Sequence, residues 1–184
     1  MTALIFAASC SGGKADNLPY MDPSLDVEKR VTDLMKRMTL EEKIGQMNQC
    51  VGLNHIDESQ AGMTEEDLMR NTAQAFYPGF LKEDIAQLAR EGKIGSFLHS
   101  VNIGEANELQ ALAMESRLRI PLLMGIDAVH GCALVSGTTV YPTSIGMAST
   151  FDPELVYISS RQTAKEMRAI GMHWTFAPNV EVAR

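Results

Sequence analysis

The sequence predicts an α/β fold, with helices first and then about three strand–helix units whose strands lie parallel. Two observations carry this. Short apolar runs of strand length recur at residues 94–98, 121–126 and 173–177, and each is separated from the next by a stretch with the spacing of an amphipathic helix. The runs stand about 30 to 50 residues apart, which leaves room for a crossover helix and a long loop.

Taken in order, residues 11–25 read as a polar linker, and Val27, Val31, Leu34, Met35 and Met38 then repeat at helical spacing, giving a first helix with one apolar stripe. Thr39 and Glu42 fit a capping box that opens a second helix through Ile44 and Met47. Residues 52–78 are polar and weakly patterned, and read as peripheral to the core, with a short helix after Thr64. Leu81, Ile85 and Leu88 mark another helix ending near Gly92.

Ile94, Phe97 and Leu98 make the first predicted strand, and residues 105–117 the helix after it, with Ala106, Leu109, Leu112 and Ala113 inward. Residues 121–126 form the second strand. Asp152 as N-cap with Pro153 at the first helical position opens a long helix to Ile170, where Gly171 supplies a left-handed terminator. The third strand follows at 173–177. Periodicity alone fits either a barrel or a doubly wound sheet, and 184 residues fall short of the roughly 250 that a closed eight-stranded β/α barrel uses.

Composition narrows the partners. A formal net charge of -7, without any basic cluster interleaved with aromatics, argues against nucleic acid. No apolar run approaches the roughly 20 residues that span a bilayer, so membrane contact is expected only through an anchor. Residues 1–10 resemble the end of a lipoprotein signal: an apolar run, then small residues, then Cys10, the expected site of lipidation. The expected location is therefore exported, periplasmic or anchored at the outer membrane of a bacterium. The alternative is an apolar N-terminus with an incidental cysteine.

Cys50 and Cys132 are expected to be buried thiols, although spacing leaves a disulfide open. His55, His99, His130 and His173 lie far apart with no metal-ligand spacing, so no metal is expected. The working face of either fold lies at the carboxyl ends of the strands, which brings forward His99, Asp127, His130 and Asn179. Asp127 ends an apolar strand, where its carboxylate can accept hydrogen bonds from paired hydroxyls or cap the next loop. His130 beside Gly131 reads as bracing a turn, with donation into the same pocket as the alternative. Glu181 and Asp152 show no pattern that makes either a nucleophile.

Seven ordered motifs run along most of the chain. They begin with Arg37-Met38-Thr39-Leu40-Glu41-Glu42-Lys43-Ile44-Gly45-Gln46-Met47, then Gly92-Lys93-Ile94-Gly95-Ser96-Phe97 and Arg117-Leu118-Arg119-Ile120-Pro121-Leu122-Leu123. Asp127-Ala128-Val129-His130-Gly131 follows, then Thr139-Val140-Tyr141-Pro142, Lys165-Glu166 and Thr175-Phe176-Ala177-Pro178. Together they resemble the N-terminal barrel domain of glycoside hydrolase family three, in its bacterial β-glucosidase branch. Two departures are Tyr141, where phenylalanine is common, and Asn179-Val180-Glu181, where the family often ends a segment in aspartate.

The resemblance implies that residues 26–184 are an incomplete N-terminal part of a (β/α)8 TIM-type barrel. It implies that Asp127 binds the outer hydroxyls of a non-reducing terminal glucosyl unit, and that the complete enzyme is a retaining, exo-acting β-glucosidase needing no cofactor. A β-glucoside or oligosaccharide is the expected substrate. The nucleophile and the acid/base are expected beyond Arg184, so the 184 residues alone are expected to be hydrolytically inactive, with an open sheet edge that favours association. The alternatives are a β-xylosidase or exo-glucanase of the same family, or a non-catalytic, lipid-anchored sugar-binding protein.

Overall fold

The computed structural model describes residues 18–64, 66 and 80–179. Two compact units divide the chain, one ending at Thr39 and one beginning at Leu40. In the first, Asp26 caps α1 (Val27–Arg37) by accepting a hydrogen bond from Glu28 N at 3.0 Å. A 3-10 turn at Pro19–Met21 packs on the polar flank of this helix. Arg30 Nε donates to Tyr20 O at 3.1 Å, Tyr20 N donates to Asp33 Oδ2 at 3.3 Å, and Arg37 pairs with Asp33 at 2.9 Å. The helix lies where its spacing predicted, yet Val27, Val31 and Met35 are exposed, because the turn covers the polar flank and not the apolar stripe.

The second unit runs α2 (Leu40–Gln46), β1 (Gln49–Val51), α3 (Leu53–Gln60), α4 (Lys82–Arg90), β2 (Ser96–Leu98), α5 (Ile103–Met114) and β3 (Leu123–Ile126). It continues with α6 (Ser144–Ala148), α7 (Pro153–Ala169) and β4 (Trp174–Thr175). All strand pairs are parallel, in the order β1-β2-β3-β4. A doubly wound sheet reverses its strand order at a switch point, whereas here spatial order follows chain order, as in a β/α barrel.

Two later helices meet their signals closely. Ala106, Leu109, Leu112 and Ala113 of α5 are buried as predicted. Asp152 Oδ1 accepts from Glu154 N at 3.0 Å and Leu155 N at 3.3 Å, capping α7, and Gly171 ends that helix with φ +84°. The final strand pairs over Trp174–Thr175 only, shorter than the apolar run that predicted it.

Four strands are present among the described residues, where the sequence pattern predicted about three. The added strand is β1: its segment holds only Cys50 and Val51 as apolar residues, too few for an apolar run, and pairing with β2 supplies what periodicity does not. Nor is the following segment peripheral, since Leu53 and Ile56 of α3 are 1% and 0% exposed and belong to the main core. The helix expected after Thr64 falls largely outside the described residues.

The core forms against the sheet. Cys50, Phe97 and Met124 align across β1, β2 and β3 and are buried in one cluster with Ile126, Ile85, Ala89, Leu109 and Met167. Cys50 and Cys132 are buried thiols, as expected. Beneath the sheet, α2 meets the turn before β2 at two glycines. A Cβ on Gly45 would lie 2.7 Å from Lys93 Cα, and one on Gly95 would overlap the carbonyl oxygen of Gln46. Backbone on both sides cannot yield. Gly95→Ala is therefore expected to destabilise the protein by about 1–3 kcal/mol; an unchanged urea midpoint would show that this seam has slack.

Candidate substrate-binding site

Because every strand points the same way, the residues that follow β1, β2 and β3 gather on one rim: Gly52, His99 with Ser100, and Asp127. Gly52 N donates to Leu98 O at 2.9 Å, and His99 N donates to Gly125 O at 2.9 Å, so each strand end is tied to the next. Thr175 Oγ1 accepts from Ala128 N at 3.1 Å and from Ala177 N at 3.2 Å, which ties the loop after β3 to β4. Asp127 stands between these ties with its side chain 45% exposed. A carboxylate so placed has lone pairs left for a ligand.

His99 lies against it. Its Nε2 is 3.2 Å from Asp127 Oδ2, but the ring nitrogen is buried and makes no hydrogen bond, so the contact has the distance of one without the alignment. His99 also has φ +58°, a left-handed conformation that costs a non-glycine residue on the order of 1–3 kcal/mol.

One further rim residue carried no sequence signal for this role. Glu105 is only 4% exposed, and its carboxylate accepts from Asn54 N at 2.8 Å and from the buried Ser100 Oγ at 3.0 Å. A Cβ on Gly52 would approach Glu105 Oε1 to 2.9 Å. Glu105 thus joins the start of α3, which follows β1, to the loop after β2. Three residues after the N-cap Asn102, a glutamate reads as a solvent-facing capping partner; its burial was visible only in the fold. Thr175 was likewise read as strand and not as an anchor.

The other candidates separate from Asp127. His130 sits in a turn in which its carbonyl accepts from Tyr141 N at 2.8 Å and Gly131 takes φ +90°. His173 Nδ1 accepts from Met124 N at 3.1 Å and so extends the sheet. Asp152 is the cap of α7, Asn179 is exposed at the end of the described residues, and Cys10 and Glu181 lie outside them. A cavity of about 360 Å³ opens beside the site between the loops after β3 and β4, α6 and α7. Ala128, His130, Tyr141 and Met147 line it, but Asp127 does not, and its walls are mostly apolar. Among the described residues no three His, Cys, Asp or Glu side chains converge as a metal site.

Glu166 secures the loop between β3 and α6. Its carboxylate accepts from Thr139 N at 2.8 Å, from Thr139 Oγ1 at 2.8 Å and from Gln162 Nε2 at 3.1 Å. The Thr139 backbone N–H, then Gln162, then the Thr139 hydroxyl hold it below the ordinary glutamate range. Nearby, burial first and the Glu166 charge second push the Cys132 thiol up, keeping it protonated.

Residues 39–184 match the model of the glycosyl hydrolase family 3 N-terminal domain. The chain is 33% identical over 156 residues to a periplasmic beta-glucosidase of Salmonella typhimurium, covering 84% of this chain and 16% of that protein. It is 30% identical over 173 residues to a periplasmic beta-glucosidase/beta-xylosidase of Dickeya chrysanthemi, covering 90% of this chain and 25% of that protein. Among solved structures, the exo-1,3/1,4-beta-glucanase of a Pseudoalteromonas species superposes with a TM-score of 0.63 at 29% identity, covering 89% of this chain and 18% of that one. This chain therefore spans a quarter or less of the length of each.

The lowered Glu166 pKa fixes a sign. Its contribution is fully present above the ordinary glutamate range and is lost as pH falls below that range through the folded-state value. Hydrogen exchange should show the Thr139 amide protected at neutral pH and losing protection on acidification. In Glu166→Gln, protection should be lower at neutral pH and insensitive to acid; equal acid sensitivity in both proteins would refute this role.

Proposed function

The chain belongs to glycosyl hydrolase family 3, and from that premise we propose that it forms one wall of the glycosyl-binding subsite of a retaining, exo-acting β-glucosidase. The observation that carries the reading is Asp127, a half-exposed carboxylate at the carboxyl end of a parallel strand, braced by its neighbours and free to accept from sugar hydroxyls.

In retaining hydrolysis one carboxylate attacks the anomeric carbon while an acid protonates the leaving oxygen; water then releases the glycosyl-enzyme with the same group acting as base. Asp127 is assigned neither role. It binds the outer hydroxyls of the terminal glucosyl unit and holds the ring where those groups act, and hydrogen bonds that tighten toward the transition state raise the rate. No residue of the 184 is assigned as nucleophile or acid/base. The purified 184-residue chain is accordingly expected to leave an aryl β-glucoside intact.

Relatives named for β-xylosidase and exo-glucanase activity support a second reading within the same reaction class, and ranking β-glucoside, β-xyloside and β-glucan turnover by the native gene product separates the two. A non-catalytic sugar-binding protein would bind these compounds and turn over none. Two relatives named as periplasmic support export, and Cys10 behind its apolar run supports a lipid anchor. Cys10→Ala should move the protein from the membrane to the soluble fraction, and unchanged fractionation would remove the anchor.

For the site, Asp127→Asn in the native gene product should lower kcat/KM on an aryl β-glucoside by about 10- to 150-fold, the equivalent of losing a charged hydrogen bond of about 1.5–3 kcal/mol. A change under twofold with an intact fold would sink the role given to Asp127.

A further inference from the structure

Nothing in the backbone at position 99 calls for histidine. The φ of +58° is one that glycine adopts freely and asparagine tolerates, so the backbone gives the imidazole no role and what it reaches must. It reaches one partner: Asp127 Oδ2, at 3.2 Å from Nε2. The backbone that bears the ring is fixed as well. His99 N donates to Gly125 O at 2.9 Å, and the adjacent Ser100 is fixed by its hydroxyl on buried Glu105 at 3.0 Å. Together these fix the backbone that carries the imidazole beside the loop of Asp127.

We propose that His99 is a positioning residue that sets the sugar specificity of Asp127: its Nε2 restrains Oδ2, so that the carboxylate presents its remaining lone pairs to the outer hydroxyls of the glycosyl unit. This rests on the reading of Asp127 as a sugar ligand. The misaligned contact is the open form, since hydrogen bonds at such sites often tighten only when substrate enters. A small rotation of the ring brings the N–H onto Oδ2 and fixes which oxygen faces the sugar. Without the imidazole the carboxylate turns freely on its stem, and its preference for one hydroxyl over another is lost.

The test compares the native gene product with its His99→Gly, His99→Asn, Asp127→Asn and His99→Gly/Asp127→Asn variants on an aryl β-glucoside and its 4-deoxy and 6-deoxy analogues. Glycine and asparagine both suit the left-handed backbone, so His99→Asn stands in where His99→Gly fails to fold. The expected result is a loss of about 10-fold in kcat/KM on the parent glucoside for His99→Gly, and less than twofold on the deoxy analogue lacking the hydroxyl that Asp127 binds. The double variant should be no worse than Asp127→Asn alone.

Equal losses on all three substrates, no loss on any, or a double variant whose loss is the product of the single losses would each overturn the proposal. If Asp127→Asn itself leaves discrimination among the three unchanged, the reading of Asp127 fails, and the role of His99 with it. Loss of discrimination in Asp127→Asn but not in His99→Gly overturns the inference about His99 alone.

Discussion

A parallel sheet imposes one constraint on everything that follows it: each strand delivers its next residue to the same edge of the molecule. Here that edge receives Gly52, His99, Ser100 and Asp127, residues separated by as much as 75 positions in the case of Gly52 and Asp127. A rim so assembled needs a common support, because strands of three or four residues give little rigidity by themselves. Glu105 supplies part of it. A buried carboxylate is costly unless its oxygens are bonded, and these bond to the start of α3, which follows β1, and to the loop after β2. Thr175 does the same for the loops after β3 and β4. The two supports work from opposite sides of Asp127.

Much of this was legible in the amino-acid sequence. The helices with strong periodicity or strong termini, α1, α5 and α7, stand where Val27 and Val31, Leu109 and Leu112, and Asp152 with Pro153 placed them. Asp127 was legible too, as a carboxylate closing an apolar run, and the ordered motifs carried the family. The rest depends on pairing across distance. β1 becomes a strand through its register with Ser96, Phe97 and Leu98, and Leu53 becomes core only once that strand is in the sheet. Glu105 could not be separated from an ordinary capping glutamate, nor His99 from a loop residue, because burial and backbone handedness are properties of the assembled fold.

The glycines of the matched motifs also acquire a physical meaning. Gly45 and Gly95 stand where two backbones approach too closely for any side chain, and Gly131 turns through φ +90° against the carbonyl of Thr139. Each serves the scaffold below or beside the rim. Asp127 is different in kind, since its carboxylate is left half-exposed to the outside. Motifs of one family thus mix two classes of residue, and geometry sorts them.

Gly125 has a consequence of another sort. A side chain there would come within 2.5 Å of the indole nitrogen of Trp174, so its absence lets the indole lie across the strand that leads to Asp127, with the Phe176 ring 4.6 Å away. Trp174 is the sole tryptophan of these 184 residues and is partly open to solvent. The fold has in effect placed a fluorophore two residues along β3 from the carboxylate, where its emission would register a change in hydration at the strand end without any label being attached.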